Sequence, residues 1–198
     1  MKLWQVVGLL TGIVLFASPT QAQTSVRVRG TIAAVDGKVL SVKSREGRDL
    51  KIELADNLTV AVAKAWRFDD IKQGDYVGAT TTPGPNGTQV AVEVHALAPT
   101  VPEGQGPWDL QPGSTMTNAN VTSSMVSGTG NRELTLQYKG NSQKIVVPEG
   151  VPIVRTVPGS RSDLVAGEYV FIGAQAGTDG ALTAARIQVS KDGVKPPQ

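Results

Sequence analysis

The residues most able to do chemistry in this chain are few, and they centre on its one histidine. Glu93 and His95 lie two positions apart in the run VAVEVH, so a β-strand would place both side chains on one face. A carboxylate beside an imidazole suits acid–base catalysis or metal ligation. Polar residues on a solvent-facing strand give the same pattern. We favour that structural interpretation because Arg186 and Gln188 occupy the corresponding places later in the chain.

Copper binding is a second chemistry that the residues allow. Soft Cu(I) prefers methionine and histidine ligands, and beyond residue 22 the chain offers Met116, Met125 and His95. The two methionines are not spaced as a cluster. With no cysteine and a single histidine, thiolate zinc sites, cysteine nucleophiles and multi-histidine centres are excluded within one chain. We therefore predict no cofactor and no metal site.

Motifs of the common catalytic classes do not occur in the sequence. It has no G-x-S-x-G nucleophile elbow, no phosphate-binding glycine loop, no H-E-x-x-H zinc motif and no calcium loop with alternating aspartates. An enzyme built from this chain would have to use scattered carboxylates as its acid and base. We predict a non-catalytic protein, and a hydrolase of that kind is one alternative.

The most distinctive stretch is a proline- and glycine-rich linker at residues 98–118. It contains Trp108, Asp109 and Leu110, although a flexible spacer needs neither a tryptophan nor a leucine. Either these apolar side chains pin the linker onto the folded protein, or they line a groove in which Asp109 contacts a ligand. Trp66, whose counterpart in the second half is Gly159, is an aromatic residue special to the first half, and it completes the set of candidate contact residues.

Strands must position these side chains. The chain has 198 residues, of which 40% are hydrophobic and 5% aromatic, with 22 glycines and 12 prolines. Short alternating runs rich in β-branched residues are separated by turn signals such as Asp36-Gly37 and Asn86-Gly87. A helical period of useful length is not found. The pattern predicts an all-β protein.

The sequence contains one pattern twice, 93 residues apart. FDDIKQGDYVGAT, which includes Gly74, matches RSDLVAGEYVFIG, which includes Gly167. This self-similarity predicts two copies of one unit, at residues 26–97 and 119–190. Because both copies carry the paired glycines, we interpret those residues as structural.

Each predicted copy has about six short strands. A sheet of this size is best closed into a small barrel, since closure leaves no free edge. We therefore expect two tandem barrels of the oligonucleotide/oligosaccharide-binding type joined by the linker, with two small sandwiches as the alternative. Residues 191–198 are predicted to be a disordered tail.

Residues 1–22 have the pattern of a secretory signal peptide. Lys2 precedes a mostly apolar run at 3–16, and small residues lead to a predicted cleavage after Ala22. We expect an exported protein, periplasmic or secreted, without a stable membrane anchor once the signal is removed. The net charge of +2 does not indicate a nucleic-acid partner. Arg27 and Arg29 share one strand face, which we interpret as solvated.

Three stretches resemble an uncharacterised family of exported bacterial proteins: VRGTIAAVDG at 28–37, DIKQGDYV at 70–77 and PWDLQPGSTMTNA at 107–119. The resemblance implies a small β-barrel domain of unknown function, present here in two copies, and a Gram-negative periplasm. Some relatives carry a metal-transporter label, so a periplasmic metal-handling accessory protein is a further alternative. The family supplies no catalytic or ligand residue. We expect a binding or envelope-interaction module whose partner is an envelope protein, a peptide or a glycan.

Overall fold

The computed structural model describes residues 24–126 and 130–198, and it confirms the all-β prediction. The predicted signal peptide and its cleavage after Ala22 lie outside the described residues. Within the described ranges, no helix is long and apolar enough to cross a membrane. The strands are β1 (Thr24–Asp36), β2 (Val39–Ser44), β3 (Asp49–Ala65), β4 (Tyr76–Pro83), β5 (Gln89–Ala96), β6 (Gly104–Pro107), β7 (Thr115–Val126), β8 (Arg132–Tyr138), β9 (Asn141–Val146), β10 (Ile153–Pro158), β11 (Tyr169–Ala176) and β12 (Leu182–Val189). Short 3-10 helices span Phe68–Asp70, Pro85–Gly87 and Arg161–Asp163.

A closed five-stranded barrel is built from strands at both ends of the described chain. β1 pairs with β2, β2 with β3, β3 with β12, β12 with β11, and β11 again with β1. The β3–β12 contact is parallel and the others are antiparallel. Each of the five strands therefore has two neighbours, which removes the free edges of the sheet. The fully buried side chains at its centre include Ile32, Leu40, Ile52, Ile172 and Ile187.

The strands β4, β5, β9, β8 and β7 form a second ring of pairings around a separate core. β5 and β9 pair in parallel over two residue pairs, and the other neighbours are antiparallel. The side chains buried in this second core include Val77, Val94, Leu134, Leu136 and Ile145. The protein thus has two hydrophobic cores, one inside each ring.

The prediction that each half closes its own barrel is not confirmed, because the two halves exchange strands. The first barrel combines β1–β3 with β11 and β12, and the second ring combines β4 and β5 with β7–β9. Matching backbone hydrogen bonds hold the exchange: Gly167 donates to Ile32 at 2.8 Å, and Gly74 donates to Val121 at 2.8 Å. Both glycines have a φ near +90°, which favours glycine at these turns. The paired glycines thus hold strands of the opposite half.

The halves meet along an antiparallel pairing of β3 with β10. The register includes the pairs Ala61–Pro158, Ala63–Thr156 and Ala65–Val154. Ala63 and Thr156 are 93 positions apart, which is the offset between the two similar sequence stretches. β10 also pairs in parallel with β5. This junction connects the first barrel to the second ring of strands, and the tail lies beside it.

Candidate functional site

The linker is docked by its own hydrogen bonds. β6 pairs with the start of β7, and a tight loop follows in which Trp108 N–H donates to the Ser114 carbonyl at 2.9 Å. The buried Ser114 hydroxyl lies within hydrogen-bonding distance of the carbonyl oxygens of Trp108 and Gln111, at 2.9 and 2.8 Å. This loop presents Trp108 and the two residues after it toward the first barrel.

Two arginines of β1 contact the Trp108 ring. The Arg27 guanidinium lies 4.2 Å from the ring centroid, a cation–π contact. Arg29 is only 3% exposed and lies between the rings of Trp108 and Phe171, at 5.8 and 4.9 Å. It also donates to Asp109 Oδ1 at 2.8 Å. The expectation of a solvated face is therefore wrong for Arg29, because the linker covers it.

Asp109 and Leu110 complete this docking. The hydrogen bond from Arg29, with the nearby charge of Arg27, holds the pKa of Asp109 below its ordinary range despite partial burial. Arg45 donates to the carbonyl oxygens of Asp109 at 2.9 Å and of Leu110 at 3.3 Å. Three of the four predicted contact residues therefore lie together, on the surface of the first barrel.

Glu93 and His95 are buried, at 4% and 7% exposure, so the expectation that they face solvent is wrong. His95 Nδ1 lies 3.1 Å from Glu93 Oε1. The other side of the imidazole packs on Gly78, where an added Cβ would lie 2.7 Å from His95 Cε1. Both edges of the ring thus face protein atoms, and the pair is held rigidly within the fold.

The chain's own tail covers Glu93. Pro196 and Pro197 are buried. The backbone N–H of Gln198 donates to both carboxylate oxygens of Glu93, at 3.0 and 3.1 Å, and Trp108 Nε1–H donates to the Gln198 carbonyl at 2.8 Å. The prediction of disorder is therefore wrong for this end of the tail, because a buried carboxylate and an indole hold it in a cleft.

Cavities of about 660 and 430 Å³ lie on the two sides of the tail. The larger is lined by Trp66, Phe68, Glu93, Val194 and Pro196, among others. The smaller is lined by His95, Trp108, Met116, Phe171 and Gln198, among others. The two candidate tryptophans thus belong to different cavities, and the tail lies between them. The structure places Trp66 apart from Trp108, Asp109 and Leu110.

The residues considered for copper are not brought together. His95 and Met116 line the smaller cavity, whereas Met125 is 58% exposed and lies nine residues further along β7. Nine residues of extended strand span about 30 Å, so one ion cannot bind both methionines. Across residues 24–126 and 130–198, no cluster of three or more His, Asp or Glu is arranged to hold a metal ion.

Sequence patterns did not indicate the tail or the burial of Arg29. Only Pro196-Pro197 offered a signal, since consecutive prolines favour an extended polyproline II segment suited to aromatic grooves. No protein-family model matches the chain, and no curated protein matches it. The site is therefore assigned from its own contacts.

Gly78→Ala is expected to lower the free energy of unfolding by about 2 kcal/mol, because the new methyl group overlaps the buried His95 ring. The displaced ring would also lose its contact with Glu93. Urea denaturation measures the change. Gly106→Ala is the control, since its added Cβ meets nothing within 4 Å. Equal stability of the two variants would contradict the assigned packing of His95.

Proposed function

We propose that this protein is a non-catalytic, exported binding module that holds an extended, proline-containing peptide in the cleft between its two barrels. The observation that carries the proposal is the tail itself. Pro196, Pro197 and Gln198 occupy the cleft in the manner of a bound peptide, contacting Glu93 on one side and Trp108 on the other.

The chemistry of the cleft suits such a ligand. The Glu93 carboxylate accepts a backbone N–H, and the Trp108 indole donates to a backbone carbonyl. Both contacts are made to the peptide backbone, so the cleft can accept peptides with different side chains. Buried prolines beside aromatic rings supply the selectivity, because a polyproline II segment is already extended and loses little entropy on binding.

The tail acts as an intramolecular competitor. A short tether holds it near the cleft at an effective concentration of about millimolar. An external peptide must displace it, so the protein binds weakly when its tail is docked and more tightly when the tail is released. The partner we propose is therefore an envelope protein with an exposed proline-containing segment.

We also propose a cellular location for the protein and a relation between its two halves. Removal of residues 1–22 after Ala22 would release the chain into a Gram-negative periplasm, in keeping with the resemblance to exported barrel proteins. We propose that residues 26–97 and 119–190 are copies that exchange strands. The bounds of β11 and β12 support this, because each follows those of β4 and β5 by 93 residues.

The test uses a fluorescein-labelled peptide, GVKPPQ, which copies residues 193–198. The double variant Pro196→Asp/Pro197→Asp displaces the tail, since buried carboxylates beside Glu93 are unfavourable. Fluorescence anisotropy should show at least about tenfold tighter binding to this variant than to the unaltered protein. Adding Glu93→Gln to the double variant should weaken binding again.

A scrambled peptide of the same composition and the circular dichroism spectrum of each variant are the controls. The unaltered protein provides a second measurement, because peptide at about millimolar concentration should displace its tail and change the Trp108 fluorescence. If a folded double variant binds GVKPPQ no better than the scrambled peptide, the proposed function is wrong. The absence of any response in the unaltered protein would count against it too.

A further inference from the structure

The relation between the two halves produces a second groove on the opposite side of the β3–β10 junction. This cavity of about 540 Å³ is lined by Val60, Pro158, Gly159, Ser160, Arg161 and Arg186, among others. Its backbone matches the tail-binding side: Trp66 N–H donates to the Ile153 carbonyl at 2.8 Å, and Gly159 N–H donates to the Val60 carbonyl at 2.9 Å. Each donor and each acceptor is separated from its counterpart by 93 positions. The two grooves are therefore built on equivalent backbone.

The walls of the second groove differ in shape from those of the first. Gly159 stands where the first groove has Trp66, and an added Cβ would lie 2.6 Å from Val62 Cγ2. A side chain does not fit there without movement of Val62. The second groove thus presents bare backbone and apolar side chains of β3 where the first presents an indole.

The two grooves differ in charge at one equivalent position. Arg186 occupies the place of Glu93, and Arg161 that of Phe68. Arg161 donates to the Ala55 carbonyl at 2.9 Å. The Arg186 side chain is exposed, also borders the smaller cavity beside Gln198, and makes no hydrogen bond or ion pair with any residue in the ranges 24–126 and 130–198. A free guanidinium takes the position at which the first groove uses a carboxylate to hold the tail.

Two carboxylates lie near this groove, and Asp56, which interacts with Arg161, is already paired with Lys38. Asp163 accepts from the Ser160 backbone N–H at 2.9 Å and forms an ion pair with Lys191 at 3.4 Å. Its charge is therefore already compensated within the protein. The guanidinium of Arg186 remains available to an external anion, since a guanidinium pairs well with a carboxylate.

We propose that this second groove binds an extended peptide carrying a carboxylate, with Arg186 pairing with that carboxylate in the position equivalent to the Glu93 contact. The ligand class is an extended peptide that carries an acidic side chain. Because the docked tail occupies the first groove and not this one, the second groove is open in the unaltered protein. The protein would then hold two peptide segments, one contacted by the Glu93 carboxylate and the other by the Arg186 guanidinium.

The test compares two amidated, fluorescein-labelled peptides, GVKPPE and GVKPPQ, which differ by one charge. The unaltered protein should bind GVKPPE about threefold to fivefold more tightly than GVKPPQ, because an ion pair with an exposed guanidinium is weak in water. Arg186→Glu should abolish this preference. Arg155→Glu is the matched control, because Arg155 is also an exposed strand arginine but lines a different cavity. It should retain the preference.

Raising sodium chloride from about 50 to about 300 mM should weaken the binding of GVKPPE, because exposed charges are screened. Thermal unfolding of each variant verifies its fold, and Arg186→Gln provides a second variant if the charge reversal is unstable. Equal affinities for the two peptides, or equal losses in the Arg186 and Arg155 variants, would overturn the proposal. Such a result would not decide the proposal for the tail-binding cleft, because that proposal is tested with the Pro196→Asp/Pro197→Asp variant.

Discussion

Replacing Trp108 with alanine should detach both the linker loop and the tail, and it should lower the free energy of unfolding by about 3 kcal/mol. The indole contacts Arg27 and Arg29 through its face and the Gln198 carbonyl through its N–H. Its loss would also expose Arg29, which is otherwise covered. Urea denaturation measures the stability, and hydrogen exchange at Gln198 measures the release of the tail.

Trp108→Phe separates the two roles of this side chain. The phenyl ring retains the stacking with Arg27 but has no N–H to donate, so stability should fall by only about 1 kcal/mol while the tail is released. Trp108→Ala should release the linker as well. If Trp108→Ala unfolds within about 0.5 kcal/mol of the unaltered protein, as a neutral surface change would, the docking described here is wrong.

Gly30→Ala is expected to have an effect of similar size on the first barrel, lowering its stability by about 3 kcal/mol. Gly30 lies in β1 between β2 and β11, and an added Cβ would overlap the Lys43 carbonyl oxygen and lie 2.8 Å from the Ser44 Cα. Backbone atoms of a paired strand cannot move aside as a flexible side chain can. The strand pairing itself would have to shift.

Gly173→Ala is the matched control for this prediction. Gly173 lies in β11 of the same barrel, yet an added Cβ there meets nothing within 4 Å. Its stability should stay within about 0.5 kcal/mol of the unaltered protein, as is usual for a surface substitution. The close packing of β1 against β2 would be contradicted by equal unfolding midpoints for the two variants.

Local signals in the sequence predicted the strands well and their partners poorly. Alternation identified β2 and the start of β3, and the Asp36-Gly37 turn lies between β1 and β2 as expected. Strand exchange is not a local property. It depends on β3 continuing for 17 residues, through an irregularity between Leu54 and Thr59 where a turn was expected, to the junction between the first barrel and the second ring.

Burial by segments distant in sequence explains why Glu93 and Arg29 were wrongly predicted to face solvent. Glu93 and Arg29 have the positions of solvent-facing residues within their own strands, but the tail covers one and the linker covers the other. The register of β4 and β5 also shifts beside Val92, so Ala91 and Val94 both face the core. Simple alternation cannot predict such a bulge. Trp108 could be predicted as a contact residue because a flexible spacer does not need a large aromatic side chain.

The resonance of the Trp108 indole N–H tests the central claim most directly. In the ¹⁵N spectrum of the Pro196→Asp/Pro197→Asp variant, this resonance should move from its hydrogen-bonded position. It should return when unlabelled GVKPPQ is added, while the backbone amide resonances of the barrel strands show that the fold is intact. A Trp108 resonance that is the same in both proteins, or one that does not respond to the peptide, would contradict a peptide-binding cleft filled by the chain's own tail.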